Sequence, residues 1–210
     1  MHILAHRGVW QHPEEKNTRK ALNHAFRRGF GAETDVRDLN GELVISHDMP
    51  ETGALPLETV LDDYRLAGQP GMLALNLKSD GLAVPLKQLL SQYGIHRYFC
   101  FDMSVPDTLA CLQEGLIAAA RVSEYEPEGK LSTLAAAIWV DGFTANPLNP
   151  EQLLRWLTQG KSVCLVSPEL HGRAPAPFLD TLRALPEIVR SHPNLMLCTD
   201  FPASAQRGLS

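Results

Sequence analysis

Strand-like and helix-like segments alternate eight times along this 210-residue chain, which predicts an α/β protein closed into a small (β/α)8 barrel. Two further observations favour that class. An open doubly wound sheet is the alternative, but no glycine-rich phosphate loop of the GxGxxG or GxxxxGK type is present to support it. The hydrophobic fraction is 44%, with no linker or low-complexity stretch, so a single domain over residues 1–210 is expected.

Taken in order, His2–Arg7 reads as a short apolar strand followed by a polar loop. Asn17 or Thr18 is placed to cap a helix through Ala21, Leu22, Ala25 and Phe26 that stops at Gly29. Gly31–Asp38 and Glu42–His47 form a hairpin around Asn40-Gly41, a β-hairpin extension after strand 2. A helix follows over Leu57–Leu66, closed by Gly68 and Pro70. The next strands are expected at Met72–Lys78, Tyr98–Asp102, Ile117–Val122, Ala136–Gly142, Lys161–Ser167 and Leu195–Thr199. Helices are expected at Leu82–Tyr93, Pro106–Glu114 and Pro150–Gln159, and from Pro177 to Arg190 with a break or kink at Pro186. Residues 124–134 carry no clear period.

The formal net charge of −5 argues against nucleic acid or an anionic membrane as the main partner, though a small anionic substrate remains compatible with a locally positive site. No apolar run is long enough to cross a bilayer, and no signal-like segment precedes the first strand, so no stable membrane insertion and a cytoplasmic setting are expected. Cys100, Cys111, Cys164 and Cys198 lack zinc-site spacing and read as buried reduced thiols. The oligomeric state is not legible.

Barrel geometry decides which polar residues matter, because active sites form at the C-terminal ends of the strands. His6 and Arg7 end the first strand. Glu33 and Asp35 lie two residues apart on the second, with Cα atoms roughly 6.5–7 Å apart, within reach of one cation. Leu73, Leu75 and Leu77 should face the helices, which turns Ala74, Asn76 and Lys78 into the barrel. Asp102, Asp141 and Asp200 end later strands. An oxygen-only donor set suits a hard ion such as Mg²⁺ or Ca²⁺. The bland alternative is that Glu33 and Asp35 merely pair with Arg7 and Lys78, and that His6 and His47 are structural. The other histidines, His2, His12, His24, His96 and His192, have no such company.

The combination His6-Arg7-Gly8, Asn17-Thr18, Glu33-Thr34-Asp35-Val36 and His47-Asp48 resembles, in order and spacing, the signature of the glycerophosphodiester phosphodiesterase family. That family belongs to the phosphatidylinositol-specific phospholipase C-like phosphodiesterases, which are TIM barrels. Leu75-Asn76-Leu77-Lys78 is similar to the family's strand-3 motif, and Thr199-Asp200-Phe201-Pro202 to its usual ending. The resemblance implies metal-dependent hydrolysis of a phosphodiester, glycerophosphodiester-like or sugar-linked, by in-line displacement. It makes His6 and His47 the general acid and base, Arg7 and Lys78 the phosphate contacts, and Glu33, Asp35 and Asn76 the metal positions. The implied cofactor is Mg²⁺ or Ca²⁺, and the implied partner is a small-molecule phosphodiester substrate.

Two departures stand out. Glu15-Lys16-Asn17-Thr18 replaces the usual Pro-Glu-Asn-Thr, and Asn76 replaces a glutamate ligand. The loop Ser167–Arg173 offers Glu169, His171 and Arg173 as an additional ligand or a substrate-reading arm. Two other functions stay open: a lyase that stops at the cyclic phosphate, and a catalytically weakened barrel that binds a phosphorylated metabolite.

Overall fold

The computed structural model describes residues 1–209. The chain runs from β1 (His2–His6) through α1 (Arg19–Arg27) to the long β2 (Gly31–Leu39), then β3 (Glu42–Ile45), β4 (Leu55–Pro56) and α2 (Leu57–Leu66). From there β5 (Leu73–Leu77), α3 (Ala83–Gln92), β6 (Tyr98–Phe101), α4 (Val105–Gln113) and β7 (Ala119–Val122) alternate. A short α5 (Lys130–Leu134), β8 (Ala137–Val140), α6 (Pro150–Thr158) and β9 (Ser162–Val166) come next. The chain finishes with α7 (Ala176–Arg183), α8 (Glu187–Arg190), β10 (Leu195–Thr199) and α9 (Pro202–Leu209).

Eight of these strands pair in parallel in the spatial order β6-β5-β2-β1-β10-β9-β8-β7. The ring closes between β6 and β7 through one parallel bridge, Cys100 to Ala118, with Cys100 N donating to Ile117 O at 2.9 Å. The fold is therefore the expected (β/α)8 barrel. The hairpin is present too: the far end of β2 pairs antiparallel with β3, and Asn40 (φ 53°) and Gly41 (φ 89°) supply the two positive-φ residues of its tight turn.

Alternation along the strands divides the core in two. Leu73, Leu75 and Leu77 face outward into the layer shared with the helices, whereas Ala74 and Asn76 turn inward. Inside the ring Leu4, Phe99, Phe101, Trp139, Met196 and Cys198 pack together, and the Phe101 and Trp139 rings stack with centroids 4.1 Å apart. This plug fills the barrel below the level of the strand ends and forms the floor of its mouth.

The expected helix from Pro177 to Arg190 is split at Pro186, whose ring cannot continue the hydrogen-bond ladder, into α7 and α8. The unpatterned region holds only the five-residue α5. Two elements had no expectation: the two-residue β4, which pairs with β3, and α9, which packs against β1 and β10. All four cysteines are buried and free. No helix among the described residues is long and apolar enough to cross a membrane.

Candidate active site

Strand register sets the first neighbours. His6 lies beside Glu33 across β1 and β2, and Asp35 beside Asn76 across β2 and β5. Immediately after His6 the chain turns sharply. Arg7 takes a left-handed conformation (φ 57°) and donates its N–H to Glu33 O at 2.9 Å. Gly8 (φ 91°) then presses on α1; an added Cβ would stand 2.5 Å from the Ala21 carbonyl carbon, so only glycine fits.

His6 is held by its Nδ1, which donates to Asp200 Oδ1 at 2.6 Å, while Nε2 stands 3.7 Å from Glu33 Oε2. Lys16 reaches the second Asp200 oxygen at 3.4 Å and lies over the Trp10 ring. Burial alone would raise the Asp200 carboxyl, but the hydrogen bond and charge of His6, with Lys16, outweigh it and hold it below its ordinary value.

The two strand-2 carboxylates, both buried, live in different surroundings. Asp35 meets Arg7 Nε at 2.8 Å, accepts from Asn17 Nδ2 at 2.8 Å and lies 3.4 Å from Lys78 Nζ. Glu33 has no such company; burial pushes its carboxyl up to about 7, against the pull of His6. Asn17 is itself locked, since Thr34 Oγ1 donates to its Oδ1 at 2.8 Å. It is Thr18 that caps α1, accepting from Ala21 N, which frees the Asn17 amide for Asp35.

Three buried oxygens on these two strands make no hydrogen bond: Glu33 Oε2, Asp35 Oδ1 and Asn76 Oδ1. The Lys78 ammonium approaches Asp35 Oδ1 at ion-pair distance only. Buried acceptors are normally satisfied, so three orphans from adjacent strands fit a hard divalent cation, whose ligands are oxygens. Among the described residues no three His, Cys, Asp or Glu side chains group to hold a metal; here the third oxygen is an amide.

A cavity of about 280 Å³ opens at this mouth, with His6, Arg7, Lys16, Glu33 and Asn76 on one side. Its other side carries Asp102, Arg121, Asp141, Phe143 and His171. Asp102 (φ 70°) receives Arg121 Nη1 at 2.9 Å and lies 3.7 Å from Lys78. Arg121 also pairs with Glu126. His171 Nε2 stands 2.6 Å from Asp141 Oδ1.

His47 is not in this cavity. It is 49% exposed, pairs with the more exposed Asp48 at 2.8 Å, and lines an adjoining groove that shares Arg7 and Lys16 with the mouth. Glu169 turns away from the mouth cavity as well. Its carboxylate accepts from the Ser167 and Thr199 hydroxyls and from Asp200 N, bracing the ends of β9 and β10. Arg173 ties the loop after β8 by donating to the Gly142 and Ala145 carbonyls. Asn17, Lys16 and Arg121 gained no place in the site from the sequence. Asn17 was legible as a candidate cap, and Arg121 as an inward position of β7.

No family model matches the sequence, and neither does any curated protein. Solved structures do match its fold. A glycerophosphodiester phosphodiesterase from Parabacteroides distasonis superposes with a TM-score of 0.69 at 16% identity, over 99% of this chain and 96% of that one. A glycerophosphodiester phosphodiesterase from Agrobacterium tumefaciens gives 0.68 at 16% identity, over 98% and 99%. A Ca²⁺-dependent phosphatidylinositol-specific phospholipase C from Streptomyces antibioticus gives 0.56 at 10% identity, over 99% and 96%. The likeness is one of fold, carried across the whole chain.

Proposed function

We propose that this protein is a metal-dependent phosphodiesterase acting on a small glycerophosphodiester-like or sugar-linked substrate. One observation carries the reading: His6, backed by Asp200, stands at the same barrel mouth as three buried oxygens that make no hydrogen bond, from Glu33, Asp35 and Asn76. Family likeness in the motifs and in the fold of the solved phosphodiesterases supports it. Glu33, Asp35 and Asn76 would hold Mg²⁺ or Ca²⁺, which when bound stabilises negative charge on the phosphoryl oxygens.

Arg7 and Lys78 flank Asp35 and give the mouth positive charge for the phosphate. His6 Nε2 is the ring nitrogen left for proton transfer, since Nδ1 is committed to Asp200, and so it takes the proton of the attacking oxygen. That oxygen is a neighbouring hydroxyl of the substrate, giving a cyclic phosphate that water then opens, or water itself. The sequence pattern nominates His47, in the adjoining groove, for the second proton transfer. Four buried free thiols agree with a reducing, cytoplasmic setting.

Turnover of a glycerophosphodiester with Mg²⁺ or Ca²⁺, and its loss in EDTA, tests the reading; phosphorus NMR separates a monoester product from a lyase's cyclic phosphate. The neutral Asn76 favours one competitor, a weakened barrel that binds a phosphorylated metabolite. Phosphate-ester binding without metal-dependent turnover would establish that competitor instead.

A further inference from the structure

Arg7 and Lys16 stand on the seam between two spaces. Both line the mouth cavity of about 280 Å³, and both line the adjoining groove of about 530 Å³ that also holds Asn17, Ser46 and His47. A phosphodiester carries two alcohol arms on one phosphate. With that phosphate against Arg7 at the seam, one arm occupies the mouth and the other the groove, beside His47.

The two spaces differ in charge. In the mouth, Arg7, Lys16 and Arg121 are met by Glu33, Asp102 and Asp141. The groove sets Arg7, Lys16 and Arg19 against one carboxylate, Asp48, which is 92% exposed and paired with His47. Arg19 is matched by Asp63 at 2.6 and 2.8 Å, and Arg7 Nε by Asp35 at 2.8 Å. Donors remain at the seam all the same. Among the described residues neither terminal nitrogen of Arg7 makes a hydrogen bond, and neither is enclosed. Lys16 Nζ has one hydrogen bond, 3.4 Å long, to Asp200 Oδ2, while the other oxygen of that aspartate holds His6 at 2.6 Å. The Trp10 ring beside the ammonium brings no counter-charge, so an ion with three donors keeps capacity for an anion.

The sequence points the same way. Lys16 and Asn76 each stand where the resembled family pattern has a glutamate, and both exchanges make the site more positive. Such a site suits a substrate with more negative charge than one phosphodiester carries. We propose that the leaving alcohol of the substrate bears its own anionic group, a carboxylate or a phosphate, which Lys16 binds in the groove while Arg7 holds the scissile phosphate. The assignment rests on the phosphodiesterase reading and makes Lys16 a residue that decides which alcohol is accepted.

Three glycerophosphodiesters that share the glycerol arm give the test: one with ethylene glycol as the leaving alcohol, one with glycolate, and one with phosphorylated ethylene glycol. With metal supplied, kcat/KM should be about 10–100-fold higher for the better anionic ester than for the neutral one, the scale of a hydrogen bond to a charged group. Whichever anionic ester leads identifies the group the groove takes. Lys16→Met should abolish the preference, Lys16→Glu should reverse it and Lys16→Arg should keep it. Taking the ratio cancels any loss through Asp200 and His6, which falls on all three esters alike. Equal kcat/KM on all three in wild type, or a preference unchanged in Lys16→Met, would overturn the assignment. Wild-type protein inactive on all three would overturn the phosphodiesterase reading itself, and this assignment with it.

Discussion

His6 Nδ1 lies 2.6 Å from Asp200 Oδ1, a bond between residues 194 positions apart that joins the end of the first strand to the end of the last. Pairing of β1 with β10 brings it about, since Ala5 sits opposite Thr199 and each residue of the pair follows directly. The aspartate selects which ring nitrogen carries the proton and aims the other at the mouth.

His6→Ala should lower kcat about 10²–10⁴-fold with the fold intact. Asp200→Asn keeps the size of the side chain but accepts less well, and should cost about 10²-fold in kcat with little change in KM. Steady-state kinetics on both variants decide it. Full activity in Asp200→Asn would make the pair a purely structural tie.

At Asn76 the expectation concerns metal affinity. Glu33 and Asp35 offset the charge of one divalent ion, and a third carboxylate would leave the centre at −1. Asn76→Glu should therefore bind Mg²⁺ and Ca²⁺ more tightly in the absence of substrate, as read by isothermal titration. Equal affinities in two folded proteins would place the ion away from Asn76.

The buried Glu33 carries a pH signature. Burial moves its carboxyl from the ordinary 4.5 to about 7 in the folded, metal-free protein. Between those values the folded state holds a proton that the unfolded state has released, so stability must fall as pH rises through that window. Thermal melts in EDTA should show wild type losing ground to Glu33→Gln between about pH 4.5 and 7, by about 2–4 °C for each kcal/mol. Outside the window the difference should be flat. Parallel curves from pH 4 to 8 would mean that Glu33 titrates normally.

Asn17 adopts φ 60° and bridges Thr34 to Asp35. Removing its amide in Asn17→Ala leaves buried partners unsatisfied and should cost about 1–3 kcal/mol in denaturant unfolding. Asn17→Asp should cost more at neutral pH, because it sets a carboxylate against Asp35. A variant as stable as wild type would show that the bridge is idle.

Much of the architecture lay open in the sequence because its signals are local. Alternation of Leu73, Leu75 and Leu77 with Ala74 and Asn76 has period two, and that pattern by itself turns Asn76 inward. Asn40-Gly41 specified its own turn, and Pro186 its own break. A short polar helix such as α9 has too weak a periodicity to announce itself, and it forms because β1 and β10 offer it a surface.

The motifs likewise named His6, Arg7, Glu33, Asp35, Asn76 and Lys78, and the barrel gathers them at one mouth. Only tertiary structure decided how they divide the work of neutralising one another. Glu33 and Asp35 are equivalent in a Glu-x-Asp string, yet register and the Asn17 loop gave Asp35 the partners Arg7, Asn17 and Lys78, and left Glu33 with His6 alone. The same holds for the loops. His47 stands apart in the adjoining groove, Glu169 braces strand ends, and His171 finds Asp141 30 residues away. Side-chain direction within a strand follows from local sterics, which any short stretch of sequence contains. Which charges meet across strands depends on closure of the whole ring, and no local stretch encodes that.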